Sequence, residues 1–223
     1  MKPEEIAAWL KQHPEFFEQY AEQLAEITIP HPHGGRAIPI SERQTLTLRE
    51  KAKQLETKLR ELIQFGEEND AIGEKVHRVA AALLSAADIR GVLNAVHLNL
   101  REDFAVPHVA LRVWRANSHA DLPEFKPASD ATREFAASLA NPYCSSHAMV
   151  DTSGLFGEAA AHLRSFAYMP LRDSETFGLL ALASEDAQRF YPEMGTLYLR
   201  RLGDIAAAAI QRNHCETAEA ALR

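Results

Sequence analysis

Residues 166–186 read FAYMPLRDSETFGLLALASED, and the fold turns on this stretch. Phe166 to Leu171 (FAYMPL) and Phe177 to Ala183 (FGLLALA) read as adjacent strands joined by the polar turn RDSET. On the C-terminal side, Met194 to His214 has the spacing of a closing helix, carrying Leu197, Leu202, Ile205, Ala209 and Ile210. On the N-terminal side, Ser153 to Arg164 is expected as a loop with a short helix. Cys144 to Val150 reads as another strand, Asn141-Pro142 as a turn, and Thr132 to Ala140 as a short helix. Earlier still, HVALRVWR alternates Val109, Leu111 and Val113 with Ala110 and Arg112, as a half-buried strand does. Val76 to Ala87 and Ile89 to Phe104 are helical, the second with Val92, Val96 and Leu100 in line. Helices before, beside and after several antiparallel strands indicate an α+β domain.

The residues before this domain form an arm. Pro3 suits a first helical position, and Glu4 and Glu5 complement the helix dipole. Ile6, Trp9 and Leu10 share one face, and His13-Pro14 ends the helix. A second short helix follows, with Phe16, Tyr20 and Leu24 in line and Phe17 beside them. Ile27 to Pro30 is extended, and HPHGG (His31 to Gly35) reads as a loop. From Ser41, a plausible N-cap, a long helix begins. Its apolar positions Leu48, Ala52, Leu55, Leu59 and Leu62 alternate steps of four and three, and the pattern resumes at Phe65, Asn69, Ile72, Val76, Val79 and Leu83. Two successive threes around Leu62 make a stammer. Unbroken to about Ala86, the rod would run roughly 70 Å. A narrow seam on such a rod most often meets a second helix, so self-association is expected, with Asn69 favouring one register. The alternatives are a solvated helix folded back on its own domain, or a rod broken at Gly66 or Gly73.

Thirty-one acidic against twenty-four basic residues give a net charge of −7, a poor balance for non-specific nucleic-acid binding. On the long helix, Arg43, Arg49, Lys51, Lys53, Lys58 and Arg60 are interspersed with Glu42, Glu50, Glu56 and Glu61. That is a solvated coiled-coil flank rather than a phosphate track, so direct nucleic-acid binding is not expected. Two cysteines are too few for a disulfide framework and fit a reducing cytosol. The opening MKPEEIAAWL does not read as a secretory signal. No apolar run approaches the ~20 residues that span a bilayer, so a cytoplasmic location without membrane insertion is expected.

The order helix, helix, strand, short helices, two long strands and closing helix is similar to that of GAF domains, and FGLLALASED resembles their signature strand. More specifically, the chain resembles the bacterial family called "domain of unknown function 484". The resemblance is carried by WLKQHPEFFEQY, the IPHPHGG loop and SERQTLTLRE, by Glu68-Asn69-Asp70 with Glu74-Lys75, and by RFYPEMGTLYLRRLGDIAAAAI with Pro192, Met194, Gly195 and Gly203. One departure is Cys144-Ser145, where relatives tend to carry Cys-Gly after the proline. The resemblance implies a GAF-like fold and dimerisation, and brings no established activity and no catalytic residues. The expected organisation is short helices and a loop over 1–40, a coiled-coil-like helix over 41–75, a GAF-like domain over 76–214 and a tail over 215–223. As the signature strand, FGLLALA would lie centrally, with Leu180 and Leu182 on one face, Leu179 and Ala181 on the other, and helices over both.

Candidate chemistry is thin. Cys144 and His147 have a C-x2-H spacing to which His108 and His162 could add, but no second ligand pair completes a zinc set. His31 and His33 converge only if extended, and His214-Cys215 sits near the chain's end. Some GAF-like proteins reduce methionine sulfoxide, which takes an attacking thiolate and usually a resolving thiol; Cys215 is expected far from Cys144. Ser145 and Ser146 beside His147 lack a nucleophile elbow or an orienting acid, and no phosphate-binding glycine loop occurs. In GAF domains the ligand lies between the sheet and the short helices. Here that maps onto Phe125, Phe135, Tyr143, Phe156 and Tyr168 as walls, beside Met169, with Arg112, His147 and Arg172 as polar contacts. The same aromatics could simply fill the core.

The expectation is therefore a non-enzymatic regulatory or sensory module that binds a small molecule, with no cofactor assigned. It would form a homodimer through Leu48, Leu55, Leu59, Leu62, Phe65, Asn69 and Ile72, and pass its signal to an unidentified protein partner. The alternative is a dimeric interaction scaffold without a ligand; a cysteine-dependent reductase stands behind both.

Overall fold

The structure is a computed structural model. It describes residues 2–31, 34–114 and 121–220, with the side chains of 25–26, 28–31, 34–42 and 214–220 outside the described set. The chain divides into two compact units, Met1–Glu67 and Glu68–Arg223.

The first unit opens with α1 (Pro3–Gln12), α2 (Glu15–Gln19) and α3 (Ala21–Glu26). The Glu5 carboxylate accepts the Lys2 backbone N–H at 2.9 Å, which satisfies a donor the helix start leaves open. One helix was expected after Pro14; there are two, because the backbone leaves helical geometry at Tyr20, φ −114° and ψ 28°. Trp9, Phe16 and Tyr20 hold these turns together through ring contacts of 5.5 and 4.8 Å. Of the HPHGG segment expected as a loop, His31, Gly34 and Gly35 lie in strands, and Pro32 and His33 fall outside the described residues. β1 (Thr28–His31) and β2 (Gly34–Pro39) pair antiparallel, with position 29 opposite 38 in the backbone register.

Helix α4 (Ile40–Ser85) follows. It begins at Ile40, so Ser41 is already helical rather than a cap. It passes through Gly66 and Gly73 without a break. Each glycine costs about 1 kcal/mol relative to alanine in a helix, and there is no heavy atom within 4 Å of either missing β-carbon to explain it. The helix also continues past the division expected near residue 75.

In the second unit come α5 (Ile89–Glu102), β3 (His108–Val113), α6 (Asp130–Ser138), β4 (Tyr143–Ser145), α7 (Thr152–Phe156), β5 (Ser165–Arg172), β6 (Thr176–Ser184) and α8 (Leu197–Ala220). Asp88 caps α5 by accepting the Gly91 N–H at 2.7 Å, and Ser129 caps α6 through the Thr132 N–H at 3.2 Å. The four strands form one antiparallel sheet in the order β3-β6-β5-β4. The FGLLALA strand lies inside it, and β6 is buried from Phe177 through Ser184. Leu180 and Leu182 face a core built with Val79 and Leu83 of α4, Val92 and Val96 of α5, and Leu202 and Ile210 of α8. Leu179, Ala181 and Ala183 face a second core with Phe166, Tyr168 and Ala136. Period-two alternation with helices on both faces makes the run continuously apolar.

Several boundaries differ from expectation: α6 starts and ends two residues early and α5 stops at Glu102 rather than Phe104. The strand at Cys144 ends at Ser145 because the next residues fold onto side chains: Ser145 Oγ accepts the His147 N–H at 3.0 Å, and Tyr168 Oη accepts the Met149 N–H at 3.2 Å. The closing helix begins at Leu197, after Pro192 and Gly195, rather than at Met194. It then runs to Ala220, through much of the segment expected as a tail.

Candidate functional site

Two regions carry the expected functional residues. The first is the sheet face toward α6 and α7. Arg112 projects from β3 there, and its guanidinium donates to the Pro123 carbonyl at 3.0 Å and the Gly154 carbonyl at 2.6 Å. It thus ties two connecting segments to the sheet. Burial lowers its pKa, against a smaller opposing effect of Glu124. Arg172 closes the other end of the face. It donates to the Ala136 carbonyl at 3.2 Å, the Ala137 carbonyl at 3.0 Å and the Leu139 carbonyl, and to Thr176 Oγ1 at 3.0 Å. These are the open carbonyls at the end of α6, which a cation suits. Both arginines expected to meet a ligand thus already hold backbone carbonyls.

The aromatic residues of this face pack on one another. Tyr168 is fully buried, edge-on to Phe135 at 5.2 Å and stacked on Phe166 at 6.1 Å. Burial pushes its phenol pKa up, with the Met149 N–H pulling the other way. Phe156 meets His108 edge-on at 6.5 Å. Tyr143, opposite Tyr168 on the edge strand, is exposed, and so is His147, which contacts Ser146 Oγ at 3.0 Å. Phe125 is not part of this face. Pro123 starts a single 3-10 turn, and Phe125 joins the core on the opposite side of the sheet.

No cluster of three or more His, Cys, Asp or Glu side chains among the described residues could hold a metal. Cys144 is buried on the face toward α4, α5 and α8, and burial alone pushes its thiol up to about 11. A thiol so placed is protonated at neutral pH and a weak nucleophile. The second thiol, Cys215, and the side chains of His31, His33 and His214 lie outside the described residues.

The second region is the seam of α4. Leu48, Leu55, Leu59, Leu62 and Phe65 are 66%, 66%, 58%, 66% and 56% exposed. Ile72 instead packs on the core of the second unit, and the Asn69 carbonyl accepts the Tyr198 hydroxyl at 2.9 Å. The three-and-four spacing, which runs on past the stammer at Leu62, hid this change of environment, because periodicity reports a face and not what covers it. It also hid a cavity of about 490 Å³ lined by Ile72, Leu100, Phe104, Leu182, Arg189 and Leu199, among others.

Residues 1–214 match the family described as "Protein of unknown function, DUF484". The chain belongs to that family. The DUF484 chain has the GAF fold in its second part. It is similar to the GAF domain of a proposed sensor histidine kinase from Pseudomonas syringae pv. tomato, at 18% identity and a TM-score of 0.50, with 72% of this chain and 98% of that one covered. It is also similar to the GAF domain from a phosphoenolpyruvate-protein phosphotransferase of Coxiella burnetii, at 13% identity and a TM-score of 0.52, covering 66% and 96%. No curated protein matches the chain in sequence. Among the described residues, no helix is long and apolar enough to cross a membrane.

Proposed function

We propose that this DUF484 protein is a non-enzymatic regulatory module of the cytoplasm, in which α4 pairs a GAF-like domain with that of a second copy. The observation that carries the proposal is the line of exposed large side chains from Leu48 to Phe65 on one helix. Leu48, Leu55, Leu59 and Leu62 follow at steps of seven, four and three, with Ile63 and Phe65 exposed beside them; flanked by mixed charge, they fit a coiled-coil seam, and the occupant that repeats the same spacing is a second α4. A GAF domain within a sensor histidine kinase motivates the regulatory half of the reading. The buried, protonated thiol of Cys144 and the engaged guanidinium groups of Arg112 and Arg172 speak for a structural use of residues that an enzyme would keep accessible. Output to a protein partner is part of the proposal. Deleting residues 1–70 should convert a dimer to a monomer or a weaker dimer in light scattering. A tight dimer that survives the deletion would move the interface onto the GAF-like domain and remove the role given to the helix.

A further inference from the structure

Between α4 at Asn69 and Ile72, the end of α5, β6, residues 189–195 and the start of α8 lies the cavity of about 490 Å³, within the roughly 300–1,000 Å³ of small-molecule sites. Its walls are mainly apolar. Leu100, Leu182, Phe190, Leu199 and Leu202 are buried in its floor and sides, with Phe104 at the edge. The chain crosses this region as Met194-Gly195, and no heavy atom lies within 4 Å of a β-carbon built on Gly195, so no side chain from that position fills the space.

One cation, Arg189, lines the cavity at the Phe104 side, and Lys75 stands outside the lining against the Phe104 ring. Arg189 Nη2 donates to the Phe104 carbonyl at 2.7 Å, and its guanidinium lies 5.7 Å from the Phe190 ring. Lys75 Nζ lies 5.8 Å from the Phe104 ring. Among the described residues neither pairs with a carboxylate, and Asp103, next to Phe104, is held at 2.9 Å by Arg78. Arg189 therefore has N–H donors to spare at the edge of an apolar space. A neutral guest would offer them at most an uncharged acceptor, whereas a carboxylate would accept charge-assisted bonds there while its body displaced water from the leucines.

We infer that this cavity binds a small carboxylic acid with an apolar body, its carboxylate on Arg189 and its tail among Leu100, Leu182 and Leu199. The site lies on the sheet face opposite the one where sequence reasoning placed a ligand. Asn69 and Ile72 of α4 also line it, and the Tyr198–Asn69 hydrogen bond joins α8 to α4 beside it. Occupancy would therefore be felt by the long helix. That consequence rests on the regulatory reading; binding itself does not.

The test is calorimetric titration of the full chain with octanoate, and with octan-1-ol as the neutral counterpart. We expect one octanoate per chain, bound about tenfold or more tighter than octanol, the ratio a charge-assisted hydrogen bond supplies. Arg189→Met should remove that preference, bringing octanoate and octanol to within about twofold of each other, while Arg189→Lys should restore part of it. Leu199→Phe, which fills the space, should weaken both. The Leu55→Asp/Leu59→Asp chain should bind octanoate like the parent even if it no longer dimerises, which separates this inference from the dimer proposal. Absence of octanoate binding at millimolar concentration would overturn the inference. So would equal binding of octanoate and octanol, or octanoate binding that neither Arg189→Met nor Leu199→Phe alters.

Discussion

Gly178 lies so close to Arg112 that a β-carbon on the glycine would stand 2.8 Å from the arginine's carbonyl oxygen. The same atom would meet Leu171 Cδ1 at 3.0 Å. Gly178 sits between Val113 and Leu171 in adjacent strands, so any side chain must push β3 or β5 outward. Arg112 in turn anchors Pro123 and Gly154 through its guanidinium, and displacement of β3 would disturb both segments.

Gly178→Ala should therefore destabilise the domain by about 1–3 kcal/mol, the usual cost of forcing an extra carbon into a packed core. Thermal unfolding followed by circular dichroism measures it. A melting temperature equal to the parent's would show that the sheet gives way at this point without cost.

The next expectation compares two leucines. Leu180 is 1% exposed within the central strand, whereas Leu48 is 66% exposed on α4. Leu180→Ala should cost about 2–5 kcal/mol, a large share of the roughly 5–15 kcal/mol that holds a domain together. Leu48→Ala should change the unfolding of the GAF-like domain little. Denaturant titration of both variants decides between this arrangement and one with the main core in the arm.

Removing the guanidinium of Arg172 leaves the carbonyls of Ala136, Ala137 and Leu139 without that donor at the end of α6. Arg172→Met should cost on the order of 1–3 kcal/mol and raise amide exchange over residues 130–139. If Arg172 were a ligand contact and not a helix anchor, stability and exchange would both stay at parent values.

Cys144 gives a pH dependence with a definite sign. Its folded thiol holds its proton up to about 11, above the ~8.5 of an unfolded cysteine. The stability linked to this group is complete below the unfolded value and is lost as pH rises through it toward the folded one. The parent should lose more stability than Cys144→Ala between about pH 8 and pH 11. Parallel stability curves for the two proteins would refute the burial of the thiol.

The architecture was legible because its strongest signals are local and periodic. FGLLALA announces a strand covered on both faces, and Val92, Val96 and Leu100 announce the inner face of α5; both occupy those places. The pairing of Thr28–His31 with Gly34–Pro39 was not legible, since prolines and glycines in HPHGG dominate a propensity reading while strand register joins positions as far apart as 28 and 39. The candidate ligand face was legible only in part. Phe135, Phe156 and Tyr168 share it, but the sequence does not say that Arg112 and Arg172 turn to backbone carbonyls, nor that Phe125 passes to the other side of the sheet. Arg189 opens the RFYPEMG stretch that carries the family resemblance, but no spacing gave it a role, because its position depends on where a non-repetitive segment crosses the helices.

The central claim is that the exposed leucines of α4 join two copies of the chain, and light scattering of the full-length Leu55→Asp/Leu59→Asp variant beside the parent tests it most directly. Burying two carboxylates in an apolar seam is strongly unfavourable. The account predicts a dimeric parent and a monomeric variant that keeps the parent's near-ultraviolet circular dichroism and the melting of its GAF-like domain. A variant with the dimer mass and the parent's dissociation constant, or a parent that is monomeric at high concentration, would contradict it.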